Sequence, residues 1–68
     1  MPIYLFVVER DGRETDDIRW SNLADDRRAQ GYARLLIREL NERPRYRGLN
    51  VKMIVKDGDG LVIHVIPF

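Results

Sequence analysis

The stretch Ile3-Tyr4-Leu5-Phe6-Val7-Val8-Glu9-Arg10-Asp11-Gly12 decides the fold. Its first six residues are β-branched, aromatic or aliphatic, so both alternating sets are apolar. That pattern predicts a strand over Ile3–Arg10 that lies centrally in its sheet or is covered on both faces. Asp11-Gly12 accepts positive φ at both positions and closes a hairpin. A second strand is therefore expected within Arg13–Trp20. Its Glu14, Asp16 and Asp17 suit a short edge strand, where charge discourages pairing with other chains.

Beyond the hairpin the period changes from two to that of a helix. Ser21 or Asn22 is expected to cap it, with Asp25 and Asp26 in a first turn whose dipole favours negative charge. The helix is expected to run to about Asn41–Arg43 and stop before Pro44. Ala29, Ala33, Leu36, Ile37 and Leu40 share one face, and the two alanines imply close approach to a sheet. Arg27, Gly31, Arg34 and Arg38 fall on the far side. Pro44 to Asn50 reads as a loop with Gly48 as its turn residue. Val51–Lys56 alternates, Asp57-Gly58-Asp59-Gly60 forms a second hairpin turn, and Leu61–Ile66 is the last strand, ended by Pro67.

Two hairpins joined by one helix give an α+β fold, ββαββ, with a four-stranded sheet and the helix on one face. The expected core joins Tyr4, Phe6, Val8, Ala29, Ala33, Leu36, Leu40, Val55 and Ile63. At 68 residues the chain is read as one domain, residues 1–68. A domain this small needs support beyond its own core. With no cysteine and only His64, neither disulfides nor a thiolate or histidine-cluster metal site can supply it. Oligomerisation or close packing remains. The absence of cysteine also fits a cytoplasmic setting. The apolar run Ile3–Val8 is too short for a signal-peptide core or membrane span, so no membrane association is expected.

The ordered set Met1-x-x-Tyr4-x-Phe6, Asp11-Gly12, Asp17, Leu23, Ala29, Ala33 and Arg38-Glu39-Leu40 is followed by Val55-x-Asp57-x-x-Gly60, Ile63 and Ile66-Pro67-Phe68. It resembles a family of short bacterial proteins of unknown function. The resemblance spans nearly the whole chain, rests on turns and core residues, and departs from the family's usual glycine at Trp20. It implies the same fold and no particular chemistry.

Motifs that carry chemistry are sparse. Asp57-Gly58-Asp59-Gly60 lacks the distal glutamate of a calcium loop, since Leu61, Val62 and Ile63 follow. His64 has no sequence-evident nucleophile or orienting acid beside it. Asp16 and Asp17 point to opposite faces of a strand, a poor acid–base pair. No catalytic residue and no cofactor is expected, and the chain is read as a non-enzyme.

Two surfaces remain. Charge is uneven along the chain: residues 1–26 carry a net charge of −4, residues 27–56 one of +7, and the whole only +1. Arg27, Arg34, Arg38, Arg43, Arg45, Tyr46 and Arg47 combine guanidinium groups with an aromatic, a mixture suited to phosphate contact and base stacking. The small net charge makes nucleic acid the alternative reading. The favoured one is a protein-interaction or assembly module, self-associating as a homodimer. It would use a second, uncovered sheet face bearing Leu5, Val7 and Ile54, or a strand edge.

Overall fold

The computed structural model describes residues 2–46 and 50–68. Strands β1 (Ile3–Arg10) and β2 (Arg13–Asn22) form the first hairpin, followed by helix α1 (Asp26–Asn41) and a single 3-10 turn at Pro44–Tyr46. Strands β3 (Val51–Lys56) and β4 (Val62–Pro67) form the second hairpin. All pairings are antiparallel in one sheet of order β2-β1-β3-β4, so the fold is α+β and ββαββ. β2 and β3 both run against β1, hence parallel to each other, and α1 carries the chain across β1 between them. β1 and β3 are the central pair, while the equally apolar β4 lies at an edge. Among the described residues, no helix is long and apolar enough to cross a membrane.

Both hairpin turns have the expected chemistry. Asp11 and Gly12 take φ of 52° and 82°, and both residues reach this left-handed region more easily than bulkier ones. In the second turn, Asp57 Oδ1 accepts from the backbone N–H of Asp59 at 2.9 Å and of Leu61 at 3.0 Å. Its carboxylate is spent on its own loop, as Asx turns require.

The helix begins later than the sequence suggests. Ser21 and Asn22 do not cap it: they pair with Tyr4 and Ile3, extending β2 to ten residues. Asp25 is the N-cap, in extended backbone, with its carboxylate accepting from Arg28 N. The pull of two more cross-strand pairs outweighs a capping preference of about 1 kcal/mol that Asp25 supplies anyway. β2 is an edge strand, as expected, but not a short one.

The core lies between α1 and the inner sheet face. Tyr4, Phe6 and Val8 from β1 meet Val51, Met53 and Val55 from β3, with Ala29, Ala33, Leu36 and Ile37 above. Phe6 tilts against Tyr32 with ring centroids 5.0 Å apart. Leu40 and Ile63, expected in the core, are only partly buried at its margin. A bulge sets Ile63 between the Val55–His64 and Lys56–Val62 pairs, which takes it out of simple alternation, while His64 keeps the face of Ile66.

Candidate functional site

The second face of the sheet holds the clearest surface feature. Register places Trp20, Leu5, Lys56 and Val62 in one cross-strand row. Ile18, Val7, Ile54 and Val65 make the next row, and Glu14, Glu9, Lys52 and Pro67 the third. No helix among the described residues covers this face, yet it is not uniformly open. Val7 and Ile54 are buried, at 1% and 7% exposure. Leu5 is half-buried. Two of the three residues expected to form an interface are therefore already packed away.

An ion pair crosses the same face. Lys56 Nζ donates to Glu14 Oε2 at 2.8 Å. Lys56 stands at the level of Leu5 on β3, and Glu14 at the level of Glu9 on β2. The contact therefore spans β1 at the level between them, that of Val7. The Lys56 side chain is 23% exposed, as a lysine is when its stem is sheltered and its ammonium reaches water. Glu14 also faces Glu9 directly across the β1–β2 pair, a like-charge apposition that Lys56 and Lys52 offset.

The apolar residues left open stand to either side of this bridge. Ile18 and Trp20 on β2, and Val62 and Val65 on β4, are each more than half exposed, Trp20 at 57%. Sequence reasoning missed them. The signal was present in the Ile18-x-Trp20 alternation, within a segment whose carboxylates dominated its reading.

The basic set does not assemble as expected. Arg27, Arg34 and Arg38 are exposed and lie within one narrow stripe of α1. Arg43 sits just past the helix end, beside a cleft of about 80 Å³ between β2 and α1. That volume is far below the 300–1,000 Å³ of typical small-molecule sites. Tyr46, however, is buried at 4% exposure, edge-on to Phe68 at 5.8 Å, with its hydroxyl donating to Asp17. Its ring cannot stack on a base in this arrangement. Arg45 is drawn to the same carboxylate at 3.7 Å and lies 5.4 Å from the Tyr46 ring centroid. These three residues fasten the loop after α1 to β2. Arg47 and Gly48 lie outside the described residues.

Two polar contacts fix the helix start against the sheet. The Tyr4 hydroxyl donates to Asp26 Oδ1 at 2.8 Å. Burial, that hydrogen bond, and the charges of Asp26, Asp25 and Asp57 push the phenol pKa up to about 12. His64 Nε2 lies 3.0 Å from the Asp26 carbonyl oxygen, tying β4 to the same turn. Elsewhere, the Tyr32 hydroxyl beside Arg19 raises that guanidinium's pKa further.

The outer face of α1 carries one more feature. Gly31 lies opposite the buried stripe, and a Cβ built there would have nothing within 4 Å. Glycine costs about 1 kcal/mol against alanine in a helix interior, and no contact within the chain requires it. An open groove surrounds it, lined by Leu23, Asp25, Arg27, Arg28, Tyr32 and Leu35. Leu35, four residues on, is more than half exposed. Comparison with family models, with curated proteins and with solved structures found no match to this chain.

Proposed function

We propose that this chain is a non-enzymatic protein-interaction module that self-associates through its open sheet face. The observation that carries the reading is the exposed apolar set Ile18, Trp20, Val62 and Val65 on the face opposite the helix. Apolar side chains grouped on one face of so small a domain mark an interaction surface more often than a solvated one. Contact with nucleic acid is the weaker reading, because its aromatic, Tyr46, is buried and Arg45 is engaged with Asp17. A cytoplasmic setting belongs to the same proposal and rests on the absence of cysteine.

Light scattering over a wide concentration range tests the reading. Average mass and melting temperature should both rise with concentration, because association stabilises the folded chain by mass action. A monomer with a concentration-independent melting temperature would remove the proposal.

A further inference from the structure

Helix α1 carries a line of arginines that the fold leaves without carboxylate partners. At 3.6 residues per turn, Arg27, Arg34 and Arg38 fall within about 40° of one another, and all three are exposed. Gln30, Gly31 and Asn41 share that side of the helix and are uncharged. The carboxylates of this segment are placed elsewhere. Asp25 accepts from Arg28 N at 2.8 Å, and Asp26 accepts from the Tyr4 hydroxyl at 2.8 Å. Glu39 lines the cleft that also holds Arg19 and Arg43. Glu42 stands at the helix end, one turn past Arg38. Among the described residues the ion pairs are Arg45–Asp17 and Lys56–Glu14, and neither uses an arginine of this line.

Independently of the self-association proposed above, we infer that the Arg27–Arg34–Arg38 stripe holds the phosphate backbone of a nucleic-acid duplex without reading its sequence. Charge decides the occupant. The stripe extends about 16 Å at 1.5 Å per residue, a length over which one strand of a duplex presents about five phosphates. Guanidinium groups meet phosphate oxygens through paired N–H donors. Gly31 lies between Arg27 and Arg34, and a Cβ there would have nothing within 4 Å. The missing side chain lets a partner's backbone come close to the helix. An anionic membrane does not fit, because a helix that lies in a membrane surface inserts its apolar face. Here Ala29, Ala33, Leu36 and Ile37 are buried against the sheet. Base stacking has no part in the contact, since Tyr46 is buried and Arg45 is held by Asp17. Backbone contacts of this kind position a duplex and carry no sequence information.

Fluorescence anisotropy of a labelled DNA duplex, titrated with the full chain at several salt concentrations, tests this. With three phosphates neutralised, the logarithm of the association constant should fall against the logarithm of salt with a slope of about −2.7 per bound chain. Arg27→Gln, Arg34→Gln and Arg38→Gln should each flatten that slope by about 0.9, and the three together should abolish binding. Lysine at the same three positions should keep the slope, because counterion release needs only the charge. All three positions are exposed, so circular dichroism should show every variant folded. A second duplex of unrelated sequence should bind as the first does. No binding at low salt, or binding that survives the triple glutamine variant, would overturn the inference. So would a protein that sediments with phosphatidylserine vesicles and leaves the duplex free. A chain that binds the duplex and remains monomeric would support this contact and remove the self-association alone.

Discussion

The two faces of the sheet are built from the same strands and closed to different extents. On the inner face, Phe6, Val8, Met53 and Val55 meet a helix whose alanines let it approach, so apolar atoms cover apolar atoms. On the outer face, Val7 and Ile54 are also buried, and a lysine–glutamate bridge crosses β1 at the level of Val7. The first face is covered by a second structural element with its own hydrophobic stripe. The second is crossed by two side chains, each partly in water, and it opens at the margins where Ile18, Trp20, Val62 and Val65 begin. Burial of a strand residue thus does not imply a closed face around it.

The comparison can be broken most sharply on the inner face. Phe6→Ala removes a side chain at 1% exposure from the centre of the core and should cost about 3–5 kcal/mol. In a domain this small that unfolds a large fraction of the protein. A denaturation midpoint close to wild type would show that the helix does not seal this face.

Val7→Ala asks how real the outer burial is. Two buried methyl groups and the gap they leave should cost about 1.5–3 kcal/mol. A cost near zero in chemical denaturation would mean that Val7 is wet in solution.

Gly31→Ala works in the opposite direction. With open space at the position, alanine should stabilise the folded monomer by about 0.5–1 kcal/mol through helix propensity. A loss of stability would reveal an internal contact for Gly31.

The fold was largely legible because its signals are local. Asp11-Gly12 and Asp57-Gly58-Asp59-Gly60 close their hairpins through residues adjacent in sequence, and the Ala29–Ala33–Leu36–Ile37 stripe states which helix face is buried. What could not be read depends on distant partners. The bridge that crosses β1 at Val7 joins Lys56 to Glu14, 42 residues apart. Tyr46 sits among arginines in the chain, and its burial depends on Asp17 and Phe68, which come from β2 and the chain's far end. The start of α1 was misplaced because Ser21 and Asn22 are good caps locally, while their pairing with Tyr4 and Ile3 is settled only once β1 is laid beside them. The burial of Val7 and Ile54 was out of reach for the same reason: alternation gives the face, but not which residues on it are covered.

The smallest effect is confined to alkaline solution. The Tyr4 phenol is held protonated to about pH 12, by burial first and then by its bond to Asp26. Its folded pKa lies above the ordinary value near 10, so the unfolded chain releases this proton first. The stability it contributes is complete below about pH 10 and declines as the pH rises toward 12. In ultraviolet titrations of wild type and Tyr4→Phe, the difference between the two curves should be centred near pH 12. A difference centred near pH 10 would contradict the buried Tyr4–Asp26 contact.

The central claim, that the uncovered part of the outer face is an interaction surface, is tested most directly by sedimentation equilibrium on wild type and Trp20→Thr across a hundredfold range of concentration. Trp20 is half exposed and touches the edge of the sheet rather than its core, so its loss should leave the folded monomer intact. The account predicts a wild-type average mass that climbs with concentration and a variant that stays at the 8.0 kDa of one chain. Equal masses for the two proteins at every concentration would contradict it.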